Sequence, residues 1–254
     1  MCTVVLSRQP GSVWPLILGA NRDELFERPW RPPARHWPDR PDVVAGLDEL
    51  AGGSWQGLND SGVTAAILNR RHALGPAPDK RSRGELVLEA LDHADAVSAA
   101  AALAGLDARA WRPFNMLVAD NRDAFWVKSL GDAGNGCVEI HPLPPGLSML
   151  TAWDCNDMTS SARTRLYLPR FEAAGRPDPD RDDWRDWEAL LASRDVAPGE
   201  DDPNGAMHVA TGWGFGTISS SLIALPAIGA ADRRPIWRFA VTWPEPRGFE
   251  RVPL

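Results

Sequence analysis

The sequence predicts an α+β fold. Apolar and β-branched runs bounded by turn residues open the chain, helical patterns follow, and further strand-like runs close it. Strands and helices do not alternate regularly, which argues against a parallel βαβ architecture. A chain of 254 residues suits one large domain or two small ones, and we interpret residues 1–254 as a single domain.

The N-terminus predicts a β-hairpin. Residues 2–7 form a short β-branched run, residues 8–11 supply turn chemistry, and residues 13–19 are apolar again. Residues 21–24 follow where the second strand is expected to end. Because paired antiparallel strands bring the start of one beside the end of the other, we expect this tetrapeptide beside Cys2.

A long loop, a second hairpin and a helix start are predicted next. Residues 28–41 contain five prolines and are expected to form an irregular loop. Residues 53–69 predict a hairpin around a turn at 59–62. Ser82, with Glu85 three residues later, fits the pattern of a capping box that opens a helix.

The remaining elements follow the same patterns. An alanine- and leucine-rich stretch after the capping box predicts one or two helices. Later strands are predicted at 114–119, 124–129, 137–141, 147–151, 216–225 and 235–243, and later helices at 159–174 and 182–193.

Composition excludes several classes of function. A formal net charge of -7 makes a nucleic-acid-binding surface a poor interpretation. No apolar run approaches the ~20 residues of a membrane span, and no secretory signal is visible, so a cytoplasmic location is expected. Three cysteines without CxxC spacing and five scattered histidines predict neither a disulfide framework nor a metal site. The 12 tryptophans indicate either core packing or an aromatic-lined pocket for a flat ligand.

Cys2 is the most informative candidate for chemistry. Removal of Met1 before a small residue leaves cysteine with a free α-amine, whose reference pKa is about 7.7–8.0. That amine can act as the base for its own thiol, so a single residue supplies both nucleophile and base. A cysteine at position 2 also occurs by chance, and its value therefore depends on its surroundings.

Arg22 and Asp23 are the candidate partners of Cys2. An arginine there can lower the thiol pKa or hold a substrate carboxylate, and an aspartate can accept hydrogen bonds from the α-amine. The alternative is a turn that uses Asn and Asp for local backbone hydrogen bonds. Residues 121–123 repeat the Asn-Arg-Asp tripeptide in what is predicted to be an ordinary hairpin turn, so position relative to Cys2 matters more than the tripeptide.

Five segments occur together in a specific order: MCTVV, GANRDELFERP, GGSWQGLNDSGVTAAILNR, SRGEL and FNMLVAD. In this combination the chain resembles the NRDE family, which is named for Asn21-Arg22-Asp23-Glu24 and includes transport-and-Golgi-organisation protein 2. That family is in turn similar to cysteine-type N-terminal-nucleophile hydrolases, notably the bile-salt and penicillin V acylases. The resemblance implies an αββα four-layer sandwich of antiparallel sheets.

The resemblance also implies roles for individual residues. Asp23 corresponds to the partner of the α-amine, and Asn69 to a side-chain donor for the oxyanion. Asn21, Glu24 and Trp55 are the candidates for substrate binding.

Two positions depart from the pattern of these enzymes. Ala152 stands where an asparagine shapes the oxyanion site in the acylases, which leaves that donor missing or supplied by Asn156. Ile218 stands where an arginine is common. Losing one oxyanion donor typically costs ~10²–10³ in rate.

Two functions of different classes remain. The first is a hydrolase or acyltransferase that acts on an amide or thioester through Cys2 and needs no resident cofactor. The second, which the resemblance implies, is a protein that binds and carries haem or an acyl-CoA or lipid on the same fold. The sequence leaves the substrate and the oligomeric state open.

Overall fold

The computed structural model describes residues 2–230 and 232–254. Met1, whose removal the sequence predicts, lies outside the described residues. Within them the chain forms thirteen β-strands and four α-helices. The strands are β1 Thr3–Arg8, β2 Leu16–Leu25, β3 Trp30–Ala34, β4 Val43–Asp48, β5 Gln56–Asn59, β6 Thr64–Asn69, β7 Phe114–Ala119, β8 Ala124–Ser129, β9 Val138–Pro142, β10 Gly146–Leu150, β11 Phe215–Leu225, β12 Ile236–Val241 and β13 Glu250–Arg251. The helices are α1 Gly84–Leu91, α2 Ala96–Ala104, α3 Ala162–Ala174 and α4 Arg185–Leu191.

The chain divides into two compact units. The first extends from the N-terminus to Arg28 and from Pro145 to Val252, and the second covers Pro29–Pro144 and the last two residues. Each unit contains one antiparallel sheet and two of the helices. The predicted α+β class is therefore confirmed.

The first unit is a six-stranded sheet in the order β10-β1-β2-β11-β12-β13. Helices α3 and α4 pack on one face, where Tyr167, Phe171 and Trp187 contact side chains from alternate strand positions such as Val5 and Ile17. Because strand side chains alternate between faces, every second residue of β1 and β2 faces these helices. This alternation decides which residues can meet around Cys2.

The second unit is a seven-stranded sheet in the order β3-β4-β5-β6-β7-β8-β9. Its strands follow one another along the chain as a meander, so neighbouring strands pair through short connections. Helices α1 and α2 cover one face, with Leu86, Leu91 and Leu103 buried against Phe114 and Met116. The predicted hairpin at residues 53–69 is the pair β5–β6.

The predicted irregular loop at residues 28–41 is wrong in part, because it contains the edge strand β3. Proline lacks a backbone N–H and cannot sit in a central strand, but an edge strand pairs on only one side. Strand β3 pairs only with β4 in the sheet, and its register shifts between Arg31 and Ala34, where Pro32 and Pro33 lie. The prolines therefore coexist with the sheet at its edge.

The predicted capping box at Ser82 is also wrong, because it lacks the return bond from Glu85. Helix α1 begins at Gly84 and its N-cap, Arg83, makes no side-chain cap, although Ser82 Oγ accepts a hydrogen bond from Gly84 N at 3.3 Å. The Glu85 carboxylate instead accepts hydrogen bonds from Trp111 Nε1 (2.7 Å) and from Arg81 Nη2 (2.9 Å). Pairing with an indole and a guanidinium outcompetes the return bond to the helix start.

Half of the 12 tryptophans serve the core, in line with the first of the two interpretations. Six are buried: Trp14, Trp111, Trp126, Trp184, Trp187 and Trp237. Two are exposed, Trp213 by 62% and Trp243 by 40%. These two are the candidates for contact with a ligand.

No helix among the described residues is long and apolar enough to cross a membrane.

Candidate functional site

Cys2 lies immediately before β1, between two strands that flank it. On one side β1 pairs with β2, with Thr3 opposite Asn21, and on the other side it pairs with β10. The half-buried Cys2 thiol donates a hydrogen bond to the backbone oxygen of Asp23 at 3.6 Å. The N-terminal hairpin thus brings residues 21–24 beside Cys2, as the sequence predicts.

The second strand of the hairpin is longer than predicted. Strand β2 runs through Leu25 rather than ending before Asn21, because β11 continues beside it and pairs with its whole length. Arg22 and Asp23 are therefore strand residues, held by the ladder with β11 just beyond the last β1–β2 pair, Thr3–Asn21. This is a more rigid setting than a turn.

The second Asn-Arg-Asp, at residues 121–123, lies in the tight β7–β8 turn, where Asp120 accepts hydrogen bonds from two backbone amides, as expected.

The Asp23 carboxylate is completely buried and held from two directions. Its Oδ1 accepts a hydrogen bond from Thr217 Oγ1 at 2.6 Å, and its Oδ2 accepts one from Arg163 Nη1 at 3.2 Å. Thr217 lies opposite Asp23 in β11, next to a register shift between Thr217 and Ser219. A bulge of this kind re-aims a side chain locally, and such bulges are common near active sites.

Arg163, on α3, is a site residue that was not among those predicted from the sequence. Its buried guanidinium donates to Thr3 Oγ1 (2.5 Å), to Asp23 and to the backbone oxygen of Asn204 (2.9 Å). The sequence does indicate that Arg163 is buried, because it lies four residues before Tyr167 and eight before Phe171 and shares their helix face. An arginine on an apolar helix face requires a buried acidic or carbonyl partner.

Asn21 is fully occupied inside the first unit. Its Nδ2 donates to the backbone oxygens of Leu191 and Met207, both at 2.9 Å, and its Oδ1 accepts from Ser220 Oγ at 2.7 Å. The side chain lies on the helix-covered face of the sheet, where it contacts α4 while Asp23 contacts α3. Its geometry suits a residue that fixes β2 against the helices.

Arg22 and Glu24 lie on the other face of β2, the face that Cys2 shares. Alternation places Cys2 opposite Arg22, one step before the Thr3–Asn21 pair. Arg22 is buried, whereas Glu24 is partly exposed and lies 3.7 Å from the guanidinium of Arg28. A buried cation and an accessible carboxylate thus follow Cys2 along one strip of the sheet.

Burial sets the protonation of the thiol. Removal from water, followed by the negative charge of Asp23, raises the pKa of the Cys2 thiol above its ordinary value. The resting thiol is therefore protonated at neutral pH, and attack needs a base to take its proton. Burial, together with the charge of Arg194, lowers the pKa of His208, so this imidazole is neutral at the same pH.

The two departures from the acylase pattern have clear locations. Leu150, the last residue of β10, pairs with Val4 of β1. The two residues that follow it, Thr151 and Ala152, are buried and continue toward the N-terminal end of β1. Asn156 closes the following turn, since its Oδ1 accepts from Met149 N at 2.7 Å and its Nδ2 lies 3.5 Å from Leu147 O. This geometry does not favour Asn156 as the replacement donor.

Ile218 lies at the bulge of β11 and is buried. Ile218 stands where the family resemblance implies an arginine, and the guanidinium that contacts Asp23 is that of Arg163 on α3. The cation next to the aspartate therefore comes from a different element of the chain.

Asn69 and Trp55 belong to the second unit. Asn69 ends β6, opposite Phe114, and is partly exposed. Trp55 packs over Gly46, where a Cβ would lie 2.2 Å from its ring, and it meets Trp30 edge to face at 5.7 Å. Their roles in oxyanion and substrate binding stay predictions.

No group of three or more His, Cys, Asp or Glu side chains suited to a metal ion occurs in the described part of the chain. All three cysteines are free thiols, and Cys137 is the most exposed of them.

Solved structures of N-terminal-nucleophile hydrolases share this fold. The chain superposes on an N-acylethanolamine-hydrolyzing acid amidase ortholog from Caenorhabditis elegans with a TM-score of 0.58 at 15% identity, covering 91% of this chain and 96% of that one. A conjugated bile acid hydrolase from Clostridium perfringens gives 0.53 at 10% identity, covering 99% and 92%. Penicillin V acylase from Agrobacterium tumefaciens gives 0.51 at 14%, covering 95% and 83%. The fold is therefore that of the N-terminal-nucleophile hydrolases.

Within this fold, the chain can be assigned to a particular sequence family. Residues 1–157 match the family described as Transport and Golgi organisation 2, and the chain belongs to that family. The Transport and Golgi organization protein 2 homolog of Bos taurus is 34% identical over 136 residues, and that of Homo sapiens 33% over 130 residues. Each match covers 47% of this chain and 45% of the relative, so the chain spans less than half the length of these curated relatives.

Proposed function

We propose that the protein is an N-terminal-nucleophile hydrolase or acyltransferase that acts on an amide or thioester through Cys2. The observation that carries this proposal is the hydrogen-bonded group at the start of β1. There the half-buried Cys2 thiol contacts the backbone of Asp23, whose buried carboxylate is fixed by Thr217 and Arg163. A buried carboxylate held this firmly beside the chain start suits an acceptor for an α-amine.

The raised pKa of the thiol supports this mechanism over one with a resting thiolate. The α-amine of Cys2 takes the thiol proton as sulfur attacks the carbonyl carbon, and the resulting ammonium is stabilised by Asp23. The tetrahedral intermediate collapses when the amine or thiol leaving group departs with that proton. Water then attacks the acyl-cysteine under the same base, which releases the carboxylic acid and the free thiol. In an acyltransferase a second nucleophile replaces the water.

Asn21 and Arg163 act in this scheme as positioning residues. Asn21 holds β2 through the Leu191 and Met207 carbonyls, and Arg163 links Thr3, next to the nucleophile, to Asp23. Neither needs to touch the substrate. Their loss is expected to lower the rate by displacing the carboxylate from the α-amine.

Intact-mass spectrometry tests the proposal. The purified protein is incubated with the decanoyl thioester of a small thiol, and the acyl adduct is located by peptide mapping. We expect one adduct, on Cys2, together with release of decanoic acid over many turnovers. Cys2→Ala should form none, whereas Cys137→Ala, which removes the exposed thiol, should react like the parent. Acylation confined to Cys137, or equal turnover by Cys2→Ala, would contradict the proposal.

Haem carriage, the alternative that the resemblance implies, stays a prediction. A saturable Soret shift on mixing with haem is the measurement, and an unchanged shift in Cys2→Ala would separate carriage from chemistry at Cys2.

A further inference from the structure

One strip of the first sheet leads away from Cys2. Asp23 faces α3, so the alternate residues of β2 face the opposite way. Arg22, Glu24 and Phe26 lie on that opposite face, and so does Cys2, which alternation places opposite Arg22. The strip therefore starts at the proposed nucleophile and ends at Phe26.

An aromatic pair, Phe26 and Trp243, closes the far end of the strip. The backbone N–H of Phe26 donates to Gly214 O at 2.8 Å, which extends the β2–β11 ladder by one residue. The Phe26 and Trp243 rings stack with centroids 4.0 Å apart and planes inclined by 16°. The Phe26 ring lies over Gly216, where a Cβ would come within 2.6 Å of Val209 O and 2.9 Å of Phe26 Cζ, so a residue without a side chain is needed there.

The aromatic pair is accessible to solvent, although ring stacking and a neighbouring hydrogen bond hold it in place. Trp243 is 40% exposed, and the preceding residue is anchored because Thr242 Oγ1 donates to Thr217 O at 2.7 Å. Stacked rings that remain exposed at the end of a packed sheet offer a flat apolar surface, which is typical of ligand contact. The same anchor, Thr217, also binds Asp23.

The distance between the two ends suits an extended apolar group. Four residues separate Arg22, at the level of Cys2, from Phe26, which corresponds to roughly 13 Å along a strand. The stretch between them carries the buried Arg22 and the Glu24–Arg28 ion pair. An acyl group whose carbonyl is held at Cys2 would need a tail of about this length to reach the aromatic rings.

We propose that the aromatic pair is the binding site for the apolar acyl group of the substrate and selects medium-chain acyl groups over short ones. This proposal rests on the proposed function of Cys2. Trp243 is then the residue that determines chain-length specificity, and Gly216 makes room for the ring beneath it.

Chain-length selectivity tests the proposal. The acylation rate of Cys2 is measured with decanoyl and acetyl thioesters in the parent, in Trp243→Ala and in Trp243→Phe. We expect Trp243→Ala to lower the decanoyl-to-acetyl ratio of kcat/KM roughly 10-fold or more, and Trp243→Phe to retain most of it. Trp213→Ala is the matched control, because Trp213 is also exposed but stacks on Phe215, which pairs with Leu25 on the other face. An unchanged ratio in Trp243→Ala would overturn the proposal.

A binding measurement separates this proposal from the proposed function. Decanamide is titrated calorimetrically into Cys2→Ala and into the Cys2→Ala, Trp243→Ala double variant. Binding that weakens roughly 10-fold in the double variant supports the aromatic pair even if no acylation of Cys2 is ever seen. Equal binding by both variants, or no binding by either, overturns it even if Cys2 proves to be acylated.

Discussion

At the scale of single residues, the buried Asp23–Arg163 pair is the most consequential contact of the site. Both side chains are almost inaccessible to water, and the guanidinium also reaches Thr3 beside the nucleophile. Removing one member of such a pair leaves the other charge buried without its partner. The resulting loss of folding stability exceeds the stability that the intact pair contributes. Asp23 was predictable from its place in the N-terminal hairpin. The buried helix face of Arg163 was also visible in the sequence, but its partner was not, because 140 residues separate it from Asp23.

Arg163→Met should lower the free energy of unfolding by about 3–5 kcal/mol, measured by urea denaturation, because it removes the cation beside buried Asp23. Arg165→Met is the control on the same helix, since its pair with Glu200 is exposed and should be worth at most ~1 kcal/mol. Adding Asp23→Asn to Arg163→Met should recover part of the loss. A double variant as unstable as the sum of the two single variants would show that the two charges are not coupled.

His208 should make stability depend on pH. Its pKa in the folded protein is lowered by burial, so the folded state favours the neutral ring. The contribution of the neutral His208 ring to folding stability is complete above its pKa in the unfolded state, about 6.5. It is lost as the pH falls from there through the lower pKa of the folded state. His208→Gln should therefore flatten the fall in urea midpoint between pH 7.5 and pH 5. His72→Asn, at an exposed histidine, should leave the slope as in the parent, and an equal slope in His208→Gln would refute the assignment.

At the scale of elements, local patterns predicted strands and helices better than their caps and partners. Strands β7 and β8 match the predicted bounds, because each is a short, largely apolar run bounded by turn residues. The capping box at Ser82 failed because Glu85 has stronger tertiary partners. Strand β4 was missed, and β3 was hidden by its prolines. These failures share a cause, since contacts from elsewhere in the chain outweigh local preference.

The junction between the β4–β5 connection and α1 depends on a glycine. A Cβ on Gly53 would lie 2.5 Å from the carbonyl carbon of Gly84 and 2.8 Å from its oxygen, and backbone atoms cannot rotate away. Gly53→Ala should therefore cost about 1–3 kcal/mol in urea unfolding. Gly248→Ala, where no atom lies within 4 Å of the added Cβ, should change stability by less than ~0.5 kcal/mol. A Gly53→Ala protein as stable as the parent would mean that α1 can shift freely.

At the scale of the whole molecule, the site is assembled from distant parts of one unit. Asp23 and Thr217 are separated by 194 residues, yet they share a hydrogen bond because β2 and β11 are neighbours in the sheet. The sequence patterns predicted both strands but not their pairing, since hydrophobic periodicity carries no information on which strands are adjacent. The resemblance supplied the fold, and the N-terminal hairpin supplied Cys2 and Asp23. Thr217 and Arg163 required the three-dimensional structure.

The most direct measurement compares Cys2 with a free and with a blocked α-amine. Single-turnover acylation by the decanoyl thioester is followed by intact mass in the processed protein and in a protein that retains one residue before Cys2. We expect the processed protein to begin at Cys2, and we expect a blocked amine to slow acylation by about 10²–10⁴-fold, because the base is lost. Equal acylation rates, or a purified protein that keeps Met1 and still turns over, would contradict the assignment of Cys2 as an N-terminal nucleophile.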